Sequence, residues 1–148
     1  MRVRHFAAIT LGSLTLSASI MAAAQNAPPA QVGGPEFKPA LDNLMTMLVQ
    51  PRHIKLYYAG QAKNWRLAGF ELNELRGALA RVGRTIPTYR KIAVDTAVAS
   101  IFADTIKSVD AAIKAADPAK FATAYGEMTA ACNSCHAGME HPDRKSVV

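Results

Sequence analysis

The sequence is poor in the residues that hold small folds together by covalent or metal cross-links. Its 148 residues include two cysteines, too few for a disulfide framework. They stand three positions apart, as Cys132 and Cys135, so any task they share is local. With four histidines and no further Cys or His pair at finger spacing, a structural zinc site lacks its four ligands. No stretch alternates apolar and polar residues over a strand's length, and neither Asn-Gly nor Asp-Gly occurs, so hairpins have no signal. The longest apolar run, Phe6 to Met21, is interrupted by Thr10, Gly12, Ser13, Thr15, Ser17 and Ser19. That is marginal for a membrane span, which wants about 20 strongly apolar residues.

What is present describes one exported domain. Half the residues are hydrophobic and 19% are charged, the balance of a single compact unit. Arg2 and Arg4 precede the apolar run, and Ala22-Ala23-Ala24 follows it. This is the pattern of an export signal over residues 1–24, cleaved after Ala24, and it directs the chain to the periplasm. Cleavage leaves 124 residues and, with Arg2 and Arg4 gone, takes the net charge from +6 to +4. So moderate a charge on an exported chain argues against a nucleic-acid partner. Residues 25–36, QNAPPAQVGGPE, carry Val32 as their one sizeable apolar side chain and read as a flexible segment.

From residue 37 the apolar spacing is helical. Phe37, Leu41, Leu44, Met45 and Leu48 form a first stripe, and Pro51 either kinks that helix or starts another. Behind Asn64, a helix-capping residue type, Trp65, Ala68, Leu72, Leu75, Leu79 and Val82 form a second. Gly83 suits the left-handed residue past its end, and Pro87 marks the break. A third runs through Val98, Ile101, Phe102, Thr105, Val109, Ala112 and Ile113. Asp117-Pro118 then gives the strongest helix start in the chain, and Phe121, Tyr125, Met128, Cys132 and Cys135 share a face of a fourth. The expected fold is all-α, an antiparallel four-helix bundle over residues 37–141 with a tail at 142–148.

The chemistry sits in Cys132-Asn-Ser-Cys135-His136, a C-x-x-C-H haem-attachment pattern. One helical turn separates the two thiols, so both can add to the vinyl groups of one haem, and His136 follows as the proximal iron ligand. A thioredoxin-like pair would need a strand-to-helix context that this region lacks, and a C-x-x-C disulfide closes a tight loop.

The segment VDAAIKAADPAKFATAYGEMTAACNSCH, Val109 to His136, resembles the cytochrome c-prime class and its low-spin relatives. It has a helix, a short Asp-Pro turn and a last helix ending in the haem motif. His53 to Glu71, HIKLYYAGQAKNWRLAGFE, is similar to a segment of a group of small bacterial c-type cytochromes. The resemblance implies one covalently attached haem c at one end of the bundle, with the first helix facing the ring side opposite His136. The sixth iron position then falls to His53, with Met45 and Met47 as alternatives. Trp65 and Met128 are candidates for packing on the haem, with Tyr57 and Tyr58 near its edge. Glu71 and Glu74, with Arg66 and Arg76, read as a solvated charged face, and Met139 and His141 as exposed tail.

The function expected is single-electron transfer with periplasmic redox proteins, not turnover of a substrate. The alternative is a five-coordinate haem that binds a diatomic gas such as nitric oxide, with peroxidase-like activity a weaker third reading. Pairing of two copies through the first two helices is expected by analogy alone.

Overall fold

The computed structural model describes residues 38–141 and Arg144. The expected export signal, the 25–36 segment, Phe37 and most of the 142–148 tail lie outside the described residues. The chain is mostly helical, with four helices among those residues.

Helix α1 has three successive parts: α-helical Leu41–Leu44, π-helical Met45–Val49 and α-helical Gln50–Gln61. Pro51 stands in the first turn of the last part, where its missing amide is one that a helix start leaves unpaired anyway. The wider π turn upstream removes the demand for an amide at that position and the clash that the proline ring would impose. Pro51 therefore stands at the start of the α-helical Gln50–Gln61 part, the second of its two expected roles, with the π turn running directly into it. Lys63 ends the run with a left-handed backbone (φ 54°), and Asn64 N–H donates to the Ala59 carbonyl at 2.9 Å.

Helix α2, Trp65–Thr85, is capped as expected, the Asn64 side chain accepting from the Leu67 amide at 3.1 Å. Beyond it lies an antiparallel pair of two-residue strands, β1 (Thr88–Tyr89) and β2 (Ile92–Ala93), turned at Arg90 with φ 54°. Two residues cannot show an alternation, and an Arg in a left-handed position is no turn signature, so the sequence carried no sign of it. Helices α3, Val94–Lys114, and α4, Pro118–Gly138, follow. Asp117 caps α4 by accepting from the Ala119 and Lys120 amides at 3.0 Å each.

Successive helices pack on one another, and α1 meets α4 mainly through Gln50–Gln61. His53 touches Thr129 and Gly60 touches Phe121, so α1 and α4 run in opposite directions. The expected stripes supply the core: Leu72, Leu75, Leu79 and Val82 from α2, Phe102, Val109, Ala112 and Ile113 from α3, Phe121, Tyr125 and Met128 from α4. Among the described residues no helix is long and apolar enough to cross a membrane.

Gly83 corrects one expectation. It lies inside α2, buried, with the Cα of Asp95 at 3.2 Å from where a side chain would begin. It is a close-approach residue, and Lys63, Ala116 (φ 50°) and Glu140 (φ 61°) take the left-handed positions after α1, α3 and α4.

Two opposite substitutions check this account by denaturant unfolding. Gly60→Ala drives a methyl into the Phe121 ring and is expected to cost about 1–3 kcal/mol. Ala116→Gly relieves a left-handed backbone and is expected to stabilise by about 0.5–1 kcal/mol.

Candidate functional site

The last turns of α4 carry Cys132, Cys135 and His136, all half-buried, on the end of the helix that the Asp117 cap does not reach. The thiols are unpaired. Burial pushes the Cys132 thiol up to about 11, helped by the neighbouring Cys135, and raises Cys135 as well. A dithiol built for exchange has the opposite property, a thiolate favoured at neutral pH. No three His, Cys, Asp or Glu side chains among the described residues are grouped to hold a metal ion.

The His136 ring is held from one side. Its Nδ1 lies 2.6 Å from the backbone carbonyl of Arg144. A carbonyl only accepts, so Nδ1–H is the donor in this contact, the tautomer whose Nε2 is the acceptor nitrogen of a neutral ring. Arg144 reaches this position because the chain doubles back after α4. Glu140 takes its left-handed conformation, His141 N–H donates to the His136 carbonyl at 2.9 Å and Arg144 N–H to the His141 carbonyl at 3.1 Å. Met139 is 5% exposed and joins the core, and His141 is half-buried. The expectation of an exposed tail for these two is therefore wrong: a left-handed residue reverses the chain, and the reversal packs Met139 inward. His141 Nε2 is enclosed with no hydrogen-bond partner among the described residues.

This end is apolar and incompletely covered. Leu41, Met45 and Leu48 lie in the first part of α1, Ile86 follows α2, and Tyr89 and Ile92 face each other in the β pair. With Val98, Ala131, Cys132 and Cys135 they pack against the core without being buried. Arg90 of the β turn pairs with Glu140 at 3.2 Å, tying that turn to the end of α4. Tyr57 and Trp65 are likewise half-buried against the core. An apolar end left open beside two thiols and an acceptor imidazole nitrogen fits a flat apolar cofactor, and the unsatisfied His141 Nε2 is the kind of polar atom such a group engages.

His53 sits one layer deeper, 4% exposed. Tyr125 Oη is 2.8 Å from its Nδ1 and 3.1 Å from its backbone carbonyl, and Thr129 Oγ1 is 3.1 Å from its Nε2. All three contacts are satisfied together when Nδ1–H donates to the phenol oxygen, the phenol donates to the carbonyl and the Thr129 hydroxyl donates to Nε2. Both ring nitrogens are thus engaged by α4. Burial lowers the ring's pKa to about 4 and raises that of Tyr125, so the pair is neutral.

The remaining candidates separate along the helices. Met45 is half-buried at the open end, about 12 Å before His53 at 1.5 Å per residue, while Met47 is 73% exposed. Met128 is fully buried one turn before Cys132. Trp65 stacks edge-on against Phe121, ring centres 5.9 Å apart, roughly 16 Å along α4 from Cys132, and is not brought to the open end. Tyr57 packs on Tyr125, and Tyr58 is exposed.

The charged face of α2 is partly a misreading. Glu71 is 3% exposed and pairs with Arg52 at 3.2 Å, and Glu74 pairs with the same guanidinium at 3.6 Å. Arg66 and Arg76 are exposed. Position on a helix surface did not show that α1 covers Glu71. The contact of Arg144 with His136 was also missed, because the left-handed Glu140 after α4 has no signal in the sequence.

No protein-family model, curated protein or solved structure matches the chain.

The buried ring predicts a pH dependence. The unfolded chain binds a proton at His53 below its ordinary pKa of 6.5, whereas the folded chain does so only near 4. Stability is therefore complete above pH 6.5 and falls as pH drops from 6.5 toward 4, by about 3 kcal/mol at 1.36 kcal/mol per unit. Denaturant midpoints against pH are expected to show this fall, and His53→Gln to flatten it.

Proposed function

We propose that the chain is a periplasmic monohaem c-type cytochrome that passes single electrons, its four helices forming a cytochrome c-prime-like antiparallel bundle. Cys132 and Cys135 carry the haem as thioethers, and His136 ligates its iron through Nε2. One observation carries the reading: the imidazole directly after two protonated, half-buried thiols donates from Nδ1 to a carbonyl and so presents Nε2, at an end of the molecule that is apolar and incompletely covered.

The bound haem supplies the one-electron chemistry. The chain's own residues do the rest. Helix α4 sets the thiols one turn apart, the Arg144 carbonyl orients His136, and the apolar side chains of α1 and the β-pair region keep water from the metal side. Packing of the helices holds these groups still, which suits electron transfer between the protein and periplasmic redox partners. Tyr58, Leu67 and Phe70, exposed on α1 and α2, offer an apolar surface for pairing of two copies.

The engagement of His53 favours a change in the sixth ligand and keeps a second reading open. With both His53 nitrogens bonded to α4, the sixth position falls to Met45, the half-buried methionine at the open end. If Met45 does not ligate, the position stays open for a diatomic gas such as nitric oxide.

Visible spectra of protein matured in an exporting host decide among these. Cys132→Ser with Cys135→Ser is expected to abolish covalent haem, and a haem stain surviving denaturing electrophoresis in that variant would refute the attachment. Reduced wild-type protein is expected to be low-spin, Met45→Ala to turn it high-spin, and His53→Gln to leave it unchanged. A wild-type spectrum that is already high-spin and shifts with carbon monoxide establishes the gas-binding reading in place of electron transfer.

A further inference from the structure

Three of the chain's four tyrosines touch one another in line. Tyr58 is exposed, Tyr57 meets it edge-on with ring centres 5.3 Å apart, and Tyr57 lies a further 5.3 Å from the buried Tyr125. Tyr125 stands two turns before Cys132 on α4, about 10 Å along the helix. Its phenol oxygen is 2.8 Å from His53 Nδ1, and Thr129 Oγ1 is 3.1 Å from the other nitrogen of that ring. A branch toward Trp65 has ring centres 5.9 Å apart at each step, but it runs through Phe121, which has no proton to release and resists oxidation. Packing alone would be met by a phenylalanine at 125. A buried phenol held against a neutral imidazole can in addition give up an electron and a proton together, because the ring nitrogen is within reach to take the proton.

We propose that Tyr125, Tyr57 and Tyr58 form a relay that moves oxidising equivalents from the end bearing Cys132 to the surface, with His53 holding the proton of Tyr125. The inference rests on the attachment reading above, and the oxidant is a hydroperoxide reduced at that end. A hydroperoxide takes two electrons and two protons and leaves as alcohol and water. Reduced iron supplies one electron and Tyr125 the other, and both protons come from solvent. The Oη–H bond of Tyr125 breaks as its electron leaves, and its proton passes to His53 Nδ1. This step uses the tautomer in which the phenol donates to Nδ1 and Nε2–H donates to Thr129. An electron from Tyr58 then crosses Tyr57 to Tyr125, the proton returns from Nδ1 to Oη, and Tyr58 releases its own proton to water. A thiol restores Tyr58 by giving it a hydrogen atom. The oxidation ends on an exposed ring that solutes can repair, and the buried core is spared.

The test mixes reduced holoprotein with equimolar hydrogen peroxide, follows radicals by freeze-quenched electron paramagnetic resonance, and follows tyrosine-linked dimers by denaturing electrophoresis and fluorescence. Wild type is expected to give a tyrosyl signal and then dimers joined through Tyr58, and added thiol to suppress the dimers. Tyr125→Phe is expected to lose both and to bleach more of its haem. His53→Gln, whose amide accepts a hydrogen bond but not a proton, is expected to form the radical more slowly. Tyr58→Phe is expected to keep the radical, for longer, and to lose the dimers, whereas Trp65→Phe matches wild type. A wild type without a tyrosyl signal overturns the proposal, as does a Tyr125→Phe protein with wild-type radical yield or a His53→Gln protein as fast as wild type. Should the buried variants not mature, Tyr58→Phe decides from an exposed position: dimers that persist in it overturn the relay. Failure of the attachment reading looks different, since then wild type itself holds no covalent haem.

Discussion

The contact between His53 of α1 and Tyr125 and Thr129 of α4 sets the rest of the arrangement. Helix α1 has a weak and interrupted apolar stripe, with Leu41, Met45 and Leu48 only half-buried, and apolar packing alone would allow it to slide or rotate against α4. Three hydrogen bonds in a buried site do not tolerate such movement, because each atom left unpaired there costs about 1–3 kcal/mol. The network pins one level of α1 to one level of α4. Everything above and below follows by helical rise: Gly60 against Phe121 toward one end, and Met45 toward the thiols at the other.

The same contact divides the molecule into a closed part and an open part. On the Phe121 side the aromatic rings of Trp65, Phe121, Tyr125 and Tyr57 pack in series, and the glycine at 60 lets the helices come close enough for that series to be continuous. On the Cys132 side several apolar residues are half-covered, and the Nε2 of His141 has no hydrogen-bond partner among the described residues. A π-helical stretch in α1 lies on this side, where it turns the Met45–Val49 side chains differently from a regular helix. The closed part gives stability and the open part gives the molecule its chemistry.

Much of this was legible in one dimension. The Asn64 and Asp117 caps act as their residue types suggest, since a side-chain oxygen next to a helix start needs no tertiary help to accept an amide. The stripes of α2, α3 and α4 are the buried faces because spacing on a helix is a local property. Ile106 is buried as well though it fell outside the expected stripe. The failures have a common physical form. Glu71 and Met139 were judged by their own helix or their immediate neighbours, and each one's environment comes from another element: Arg52 for Glu71 and the helical core for Met139.

The sequence by itself determined that the chain is helical, where α2 and α4 begin, and that two thiols and an imidazole are offered together at the end of the last helix. These depend on interactions within four residues of one another, which the order of residues specifies directly. Only the tertiary structure decided that His53 turns its ring nitrogens to α4, that the end bearing Cys132 stays open, and that His136 is held by the carbonyl of Arg144. Those depend on which surfaces meet across 8 to 76 residues of chain, and a backbone oxygen leaves no trace in the identity of the residue that carries it.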